Sequence, residues 1–186
     1  MKEDPSAANA ASPDQVMFSA AVRAEQARRG SRESYARRAA AGRFARELSA
    51  EVIAFIAERD SAYFATASAG GQPYVQHRGG PAGFLRVLDA RTLAFADYAG
   101  NRQYISVGNL AENESAFLFL MDYAEARRLK LWGRARVVDG DPVLFARLAD
   151  PGYEARIERA IVFTVQAYDW NCSQHIPRLV PAGVPR

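Results

Sequence analysis

The chain has 186 residues and a mass of 20.4 kDa, which suits one domain with its own core and is short for two. Hydrophobic residues make up 49% and charged residues 24%, an ordinary globular composition, and the single cysteine, Cys172, excludes a disulfide framework or a cysteine-cluster zinc site. The net charge of +3 lies wholly in residues 1–50, where nine basic side chains meet six acidic ones, whereas residues 51–186 hold fifteen of each.

Residues 1–12 are small and polar and read as a lead without regular structure. Ser12-Pro13-Asp14 is a helix start with a cap, a first-turn proline and an acid at the positive end of the dipole. The spacing predicts a helix to Arg29 that stops at Gly30. Ser31 caps a second helix through Ala41, ended by Gly42. Ser49 caps a third, in which Val52, Ile53, Phe55 and Ile56 form an apolar stripe. Residues 13–59 are therefore a helical segment.

After Asp60 the pattern becomes that of strands. Ala62–Ser68 is a strand, the turn Ala69-Gly70-Gly71-Gln72 follows, and Tyr74–Arg78 is a second strand broken by Gly79-Gly80-Pro81. Phe84–Leu88 and Leu93–Tyr98 make a hairpin about Asp89–Thr92. Asn101–Asn109 reads as a short helix. Ala116–Asp122 is an unbroken apolar run, expected to be a strand covered on both faces. Leu129–Val138 alternates, Asp141-Pro142 opens a helix through Leu148, and Ala160–Tyr168 is the last strand. Six or seven short strands without room for regular crossovers point to an α+β, predominantly β fold. Its core is an antiparallel sheet closed into a barrel over about residues 60–177, with helices at the N-terminus and the barrel ends and a short tail at 178–186.

Three constellations could carry chemistry. In Gln76-His77-Arg78-Gly79-Gly80, alternation puts Gln76 and Arg78 on one face and His77 on the other, before glycines that admit a ligand to the backbone. A solvated strand face with a glycine turn fits the same residues. In Asp97-Tyr98-Ala99-Gly100-Asn101-Arg102-Gln103 a strand ends and a helix begins, so free backbone N–H groups and Arg102 make a seat for phosphate. An ordinary Asn cap beside an exposed arginine is the alternative. The tail Asp169-Trp170-Asn171-Cys172-Ser173-Gln174-His175-Ile176-Pro177 gathers hydrogen-bonding side chains, as a ligand contact or as a loop that closes the barrel. Cys172 and His175 are close in sequence, which is not a catalytic geometry.

His77 and His175, without regular carboxylate spacing, give no reason to expect a metal site. There is no phosphate-binding P-loop, dinucleotide fingerprint or serine elbow. No run of about 18 apolar residues is present, so no membrane span is expected. The start MKEDPSAANAASPDQ lacks a secretory apolar region. The expectation is a soluble, cytoplasmic protein. The eight arginines of residues 23–46 are interleaved with alanines at helical spacing, so a solvated helix face explains them better than nucleic-acid binding.

From Phe55 to Asp139 the ordered motifs FIAERDSAYFATAS, GGQPYVQHRGGP, LAFADYAGNRQ, AFLFLMDY and LKLWGRARVV resemble the pyridoxamine 5′-phosphate oxidase-like family of FMN-binding split barrels. NCSQHI is similar to the C-terminal motif of its uncharacterised branch. The resemblance implies a homodimer with FMN at the subunit interface, and a flavin-dependent oxidoreductase acting on a small molecule with reduced nicotinamide as a possible donor. The alternative on the same fold is a non-catalytic flavin or haem carrier or sensor. It also implies that Gln76, His77 and Arg78 hold the cofactor from a strand. Asn101-Arg102-Gln103 stands where the family has a Ser-Arg-Lys triplet, so Arg102 carries over and one positive charge is lost, which Arg78 offsets. Asp97 carries over as a backbone contact. Arg128 falls near a flavin-contacting glutamine of the oxidase, Trp132 lies on the same strand, and Gln174 and His175 reach towards the flavin edge. The oxidase's C-terminal Arg-Leu-His substrate motif is absent, which argues against pyridoxamine phosphate as substrate.

Overall fold

A computed structural model describes residues 11–170 and 174–179 of the chain. Four helices lead: α1 (Pro13–Met17), α2 (Ala20–Arg28), α3 (Arg32–Ala40) and α4 (Ala50–Ala57). The helix expected from Pro13 to Arg29 is two helices. Phe18 leaves the helical path at φ −121° and sets its ring edge-on against Tyr35 and Phe44, with centroids 5.3 and 5.5 Å away. Ser19 then caps α2, its Oγ accepting from the Val22 N–H at 3.3 Å. Aromatic docking outweighs one helical turn here. α1–α3 contain no buried residue. Their arginines are largely occupied within the segment: Arg23 pairs with Asp14, Arg28 and Arg29 with Glu25, Arg37 with Glu33. Arg38 sits 5.3 Å over the Tyr35 ring.

The strands are β1 (Ser61–Ala67), β2 (Pro73–Gly79), β3 (Arg86–Asp89), β4 (Thr92–Tyr98), β5 (Ser115–Asp122), β6 (Arg127–Val138) and β7 (Ile157–Trp170). Two more helices interrupt them, α5 (Ile105–Glu112) and α6 (Pro142–Leu148). All strands pair antiparallel in one sheet of order β2-β1-β5-β6-β7-β4-β3. The sheet curls until its distant strands meet. Phe64 of β1 and Phe95 of β4 are separated by three strands in that order, yet their rings touch edge-on at 5.5 Å. This is a split barrel, as the strand pattern predicts. Bulges aid the bend, both in β7: one at Gln166, opposite Trp132/Gly133 of β6, and one at Glu158, opposite Asp97/Tyr98 of β4.

The barrel interior is filled by the inward residues of these strands, Phe64, Leu93, Phe95, Leu118, Leu120, Leu129, Leu131, Ile161 and Phe163, all fully buried. Val52, Phe55 and Ile56 of α4 plug one end. A second cluster forms outside the barrel, where Leu144 and Leu148 of α6 cover Ala94, Ala96, Ala160 and Val162. β5 departs from the expectation of two covered faces. Ala116, Leu118 and Leu120 are buried, but Phe117, Phe119 and Met121 are only half-buried in a single chain.

Candidate functional site

β2 is an edge strand at one end of the sheet order, and β4 stands next to the other end. The split between them is bridged by charge. Arg78 of β2 donates from Nη1 to Asp97 Oδ1 at 2.5 Å, and Arg159 of β7 donates from Nη1 to Asp97 Oδ2 at 2.9 Å. Asp97 is only 5% exposed, so the carboxylate is satisfied by two guanidinium groups rather than by water. Arg159 also contacts Glu158 at 3.2 Å, and Glu158 contacts Arg156 at 3.0 Å. The charges therefore alternate along a chain from Arg78 to Arg156. Burial alone would lower the Arg159 pKa, but the hydrogen bond and charge of Asp97, with Tyr104 and Glu158, raise it above the usual arginine value. The Nε of Arg78 is buried and has no acceptor among the described residues, a deficit that a ligand oxygen would repair.

A cavity of about 260 Å³ opens at this bridge, lined by Gln76, Arg78, Asp97, Arg102, Tyr104, Ser106 and Arg159 among others. Ser106 donates its hydroxyl to Gln76 Oε1 at 3.2 Å, which leaves the Gln76 NH₂ group to donate to a ligand. Three arginines face two carboxylates, Asp97 and Glu158, so the lining is net cationic. The Tyr98 side chain turns away from this bridge, onto the α6 cluster, where its ring meets Tyr153 at 5.3 Å and burial raises its pKa.

The predicted helix from Asn101 is corrected by four residues. α5 begins at Ile105, and Asn101-Arg102-Gln103 form an exposed connection in front of it. Asn101 Oδ1 accepts from the Gln103 N–H at 3.2 Å, a local turn that competes with helix. Arg102 and Tyr104 take left-handed backbone, at φ 60° and 54°, a conformation that costs a side-chain-bearing residue about 1–3 kcal/mol. Tyr104 is held there beneath Arg159, whose guanidinium carbon lies 5.0 Å from the ring centre. Arg102 makes no ion pair among the described residues and stands free at the rim.

A family model described as pyridoxamine 5′-phosphate oxidase matches residues 48–183, well over half of the chain. The chain belongs to the pyridoxamine 5′-phosphate oxidase family. No curated protein matches it. Solved structures share the fold at low identity. HupZ of Group A Streptococcus has a TM-score of 0.54 at 14% identity, over 71% of this chain and 99% of that one. A Lactobacillus delbrueckii protein named as a candidate pyridoxamine 5′-phosphate oxidase has 0.52 at 19%, over 67% and 94%. General Stress Protein 26 of Bacillus anthracis has 0.50 at 13%, over 64% and 91%.

In this member of the pyridoxamine 5′-phosphate oxidase family the first two sequence constellations meet. Gln76, Arg78, Asp97, Asn101, Arg102 and Gln103 line one cavity. His77 points to the other face of β2 and packs edge-on against Tyr63 at 5.9 Å. Trp132 lies on the outer face of β6, 5.0 Å from Phe117, with Arg128 on the same face by alternation. Neither lines the cavity within one chain. Gln174 and His175 are exposed, His175 at φ 62°, and Asn171, Cys172 and Ser173 lie outside the described residues. Asp97 contributes its side chain, beyond the backbone contact expected. Arg159, Glu158, Tyr104 and Ser106 escaped the sequence reading. Arg159 is the cross-strand partner of Asp97, a pairing of residues 62 positions apart that no local pattern announces.

Proposed function

We propose that this chain binds FMN at the Arg78–Arg102 cavity as half of a homodimer and serves as a flavin-dependent oxidoreductase on a small molecule. The observation that carries this reading is the pairing of a buried guanidinium lacking an acceptor at Nε with a second, unpaired arginine at the rim of the same cationic cavity. That donor set fits a phosphate monoester. Arg78 and Arg102 hold the phosphate, and the Gln76 amide donates to the polar part of the ligand. Bound FMN would supply reversible two-electron chemistry, with reduced nicotinamide as a donor to be tested, and the protein orients it and restricts water.

Two features support the dimer. The cavity of about 260 Å³ is below the roughly 300–1,000 Å³ of complete ligand pockets. The outer face of β1, β2, β5 and β6 also carries an apolar field. Tyr63 is 39% and Val75 59% exposed, while Phe117 and Phe119 stack at 6.4 Å and Phe117 meets Trp132. A second copy that buries this field covers the second face of β5.

The test is the visible spectrum of the purified protein, with mass spectrometry of the released small molecule. Yellow protein that yields FMN and is bleached by reduced nicotinamide is expected. Colourless protein that FMN cannot reconstitute overturns the reading, and colour without any turnover leaves a flavin carrier. Arg102→Ala should weaken FMN about tenfold to a hundredfold, as for loss of one charge-assisted contact, and should leave riboflavin nearly unchanged. Equal losses for both ligands in a binding titration would assign Arg102 a structural role instead.

A further inference from the structure

Arg78 and Arg102 come from different parts of the chain, an edge strand and a strained connection, and neither is anchored by its own element. β2 pairs on one side only, with β1, and Arg102 is itself left-handed, two residues before the left-handed Tyr104. Both are nevertheless tied to one place. Asp97 draws Arg78 across the split, using one carboxylate oxygen, and gives the other oxygen to Arg159. Arg159 in turn lies over the Tyr104 ring, its guanidinium carbon 5.0 Å from the ring centre, two residues beyond Arg102. Its remaining nitrogens are taken up by Glu158 at 3.2 Å and face Asp139 at 3.7 Å. Arg159 is thus largely saturated by protein, whereas Arg78 keeps donors in reserve.

We propose that Asp97 and Arg159 are positioning residues for phosphate recognition: Asp97 sets the guanidinium of Arg78, and Arg159 fixes both Asp97 and the Tyr104 connection that presents Arg102. The proposal rests on the reading of the cavity as a phosphate site, and it makes a prediction opposite in sign to simple electrostatics. Asp97 places a negative charge beside the bound phosphate. If only the field mattered, neutralising it would tighten the binding of a dianion. If Asp97 positions Arg78, neutralising it loosens the clamp, because an amide is a weaker, one-sided acceptor and two unscreened arginines separate.

The experiment measures dissociation constants of FMN and riboflavin for the wild type, Asp97→Asn and Arg159→Lys, with circular dichroism and urea melts to check folding. Asp97→Asn should weaken FMN by about tenfold or more while riboflavin stays within about threefold. Arg159→Lys keeps the charge but loses the planar fork, and it should show the same selective loss. Should Asp97→Asn fail to fold, Arg159→Lys decides the matter alone, since a field effect predicts full retention of FMN. Unchanged or tighter FMN in either folded variant overturns the proposal, as does equal weakening of both ligands. A wild type that binds FMN no better than riboflavin, or binds neither, instead overturns the phosphate-site reading and this proposal with it.

Discussion

Arg78→Ala should weaken FMN binding by roughly a hundredfold or more, equivalent to about 3 kcal/mol. Two losses combine. The phosphate loses a charge-assisted donor, and Asp97 keeps only Arg159, so its charge is less fully compensated where the phosphate binds. Fold stability should fall less than for a broken buried pair, which costs about 3–5 kcal/mol when a partner is left alone, because Asp97 retains one guanidinium at 2.9 Å. Arg78→Lys should restore part of the affinity, since it returns the charge without the bidentate geometry. Titration by flavin fluorescence with FMN and riboflavin, beside a thermal melt, reads both consequences. An Arg78→Ala protein that binds FMN like the wild type would show that the orphaned Nε serves no ligand.

Gly133→Ala should be the most destabilising single-methyl change in the sheet, at about 3 kcal/mol or more, near the upper end of what overpacking does. A Cβ at Gly133 would lie 2.3 Å from the Thr164 carbonyl oxygen and 2.6 Å from the Phe163 ring. The first is backbone of the neighbouring strand β7 and the second is fully buried, so neither can step aside without opening the bulge that β7 forms opposite Trp132 and Gly133. Gly108→Ala is the matched control. Its added methyl meets nothing within 4 Å, and in the helix α5 alanine gains about 0.5–1 kcal/mol over glycine. Urea denaturation should move the two midpoints in opposite directions. Equal midpoints would mean that β6 and β7 separate easily at the bulge.

The positions of the strands along the chain could be read because period-two alternation and glycine turns are local. The runs at Ala62–Ser68, Tyr74–Arg78 and Leu129–Val138 appear close to their expected limits. Where the reading slipped, a distant contact had overruled a local preference. Phe18 broke a helix to reach Phe44. Arg159, reaching down to Asp97, held Tyr104 out of the start of α5. Phe84 and Leu85 left the expected strand to become buried plugs, so β3 begins only at Arg86. In the site, Gln76, Arg78 and Arg102 were legible as residue types suited to an anion, but their convergence was not.

By itself the sequence determined the class of fold, the places of the strands along the chain, the faces of β2 and the two segments that supply the cavity, because these follow from side-chain period, turn chemistry and a resemblance spread over ordered motifs. The tertiary structure alone decided that β2 and β4 meet across the split, that Asp97 is shared by Arg78 and Arg159, and that one face of β5 stays partly open. Those outcomes depend on how far the sheet curls before Phe64 meets Phe95. Curling is a collective property of twist, bulges and core volume, summed over strands far apart in the chain, and no local stretch of sequence carries it.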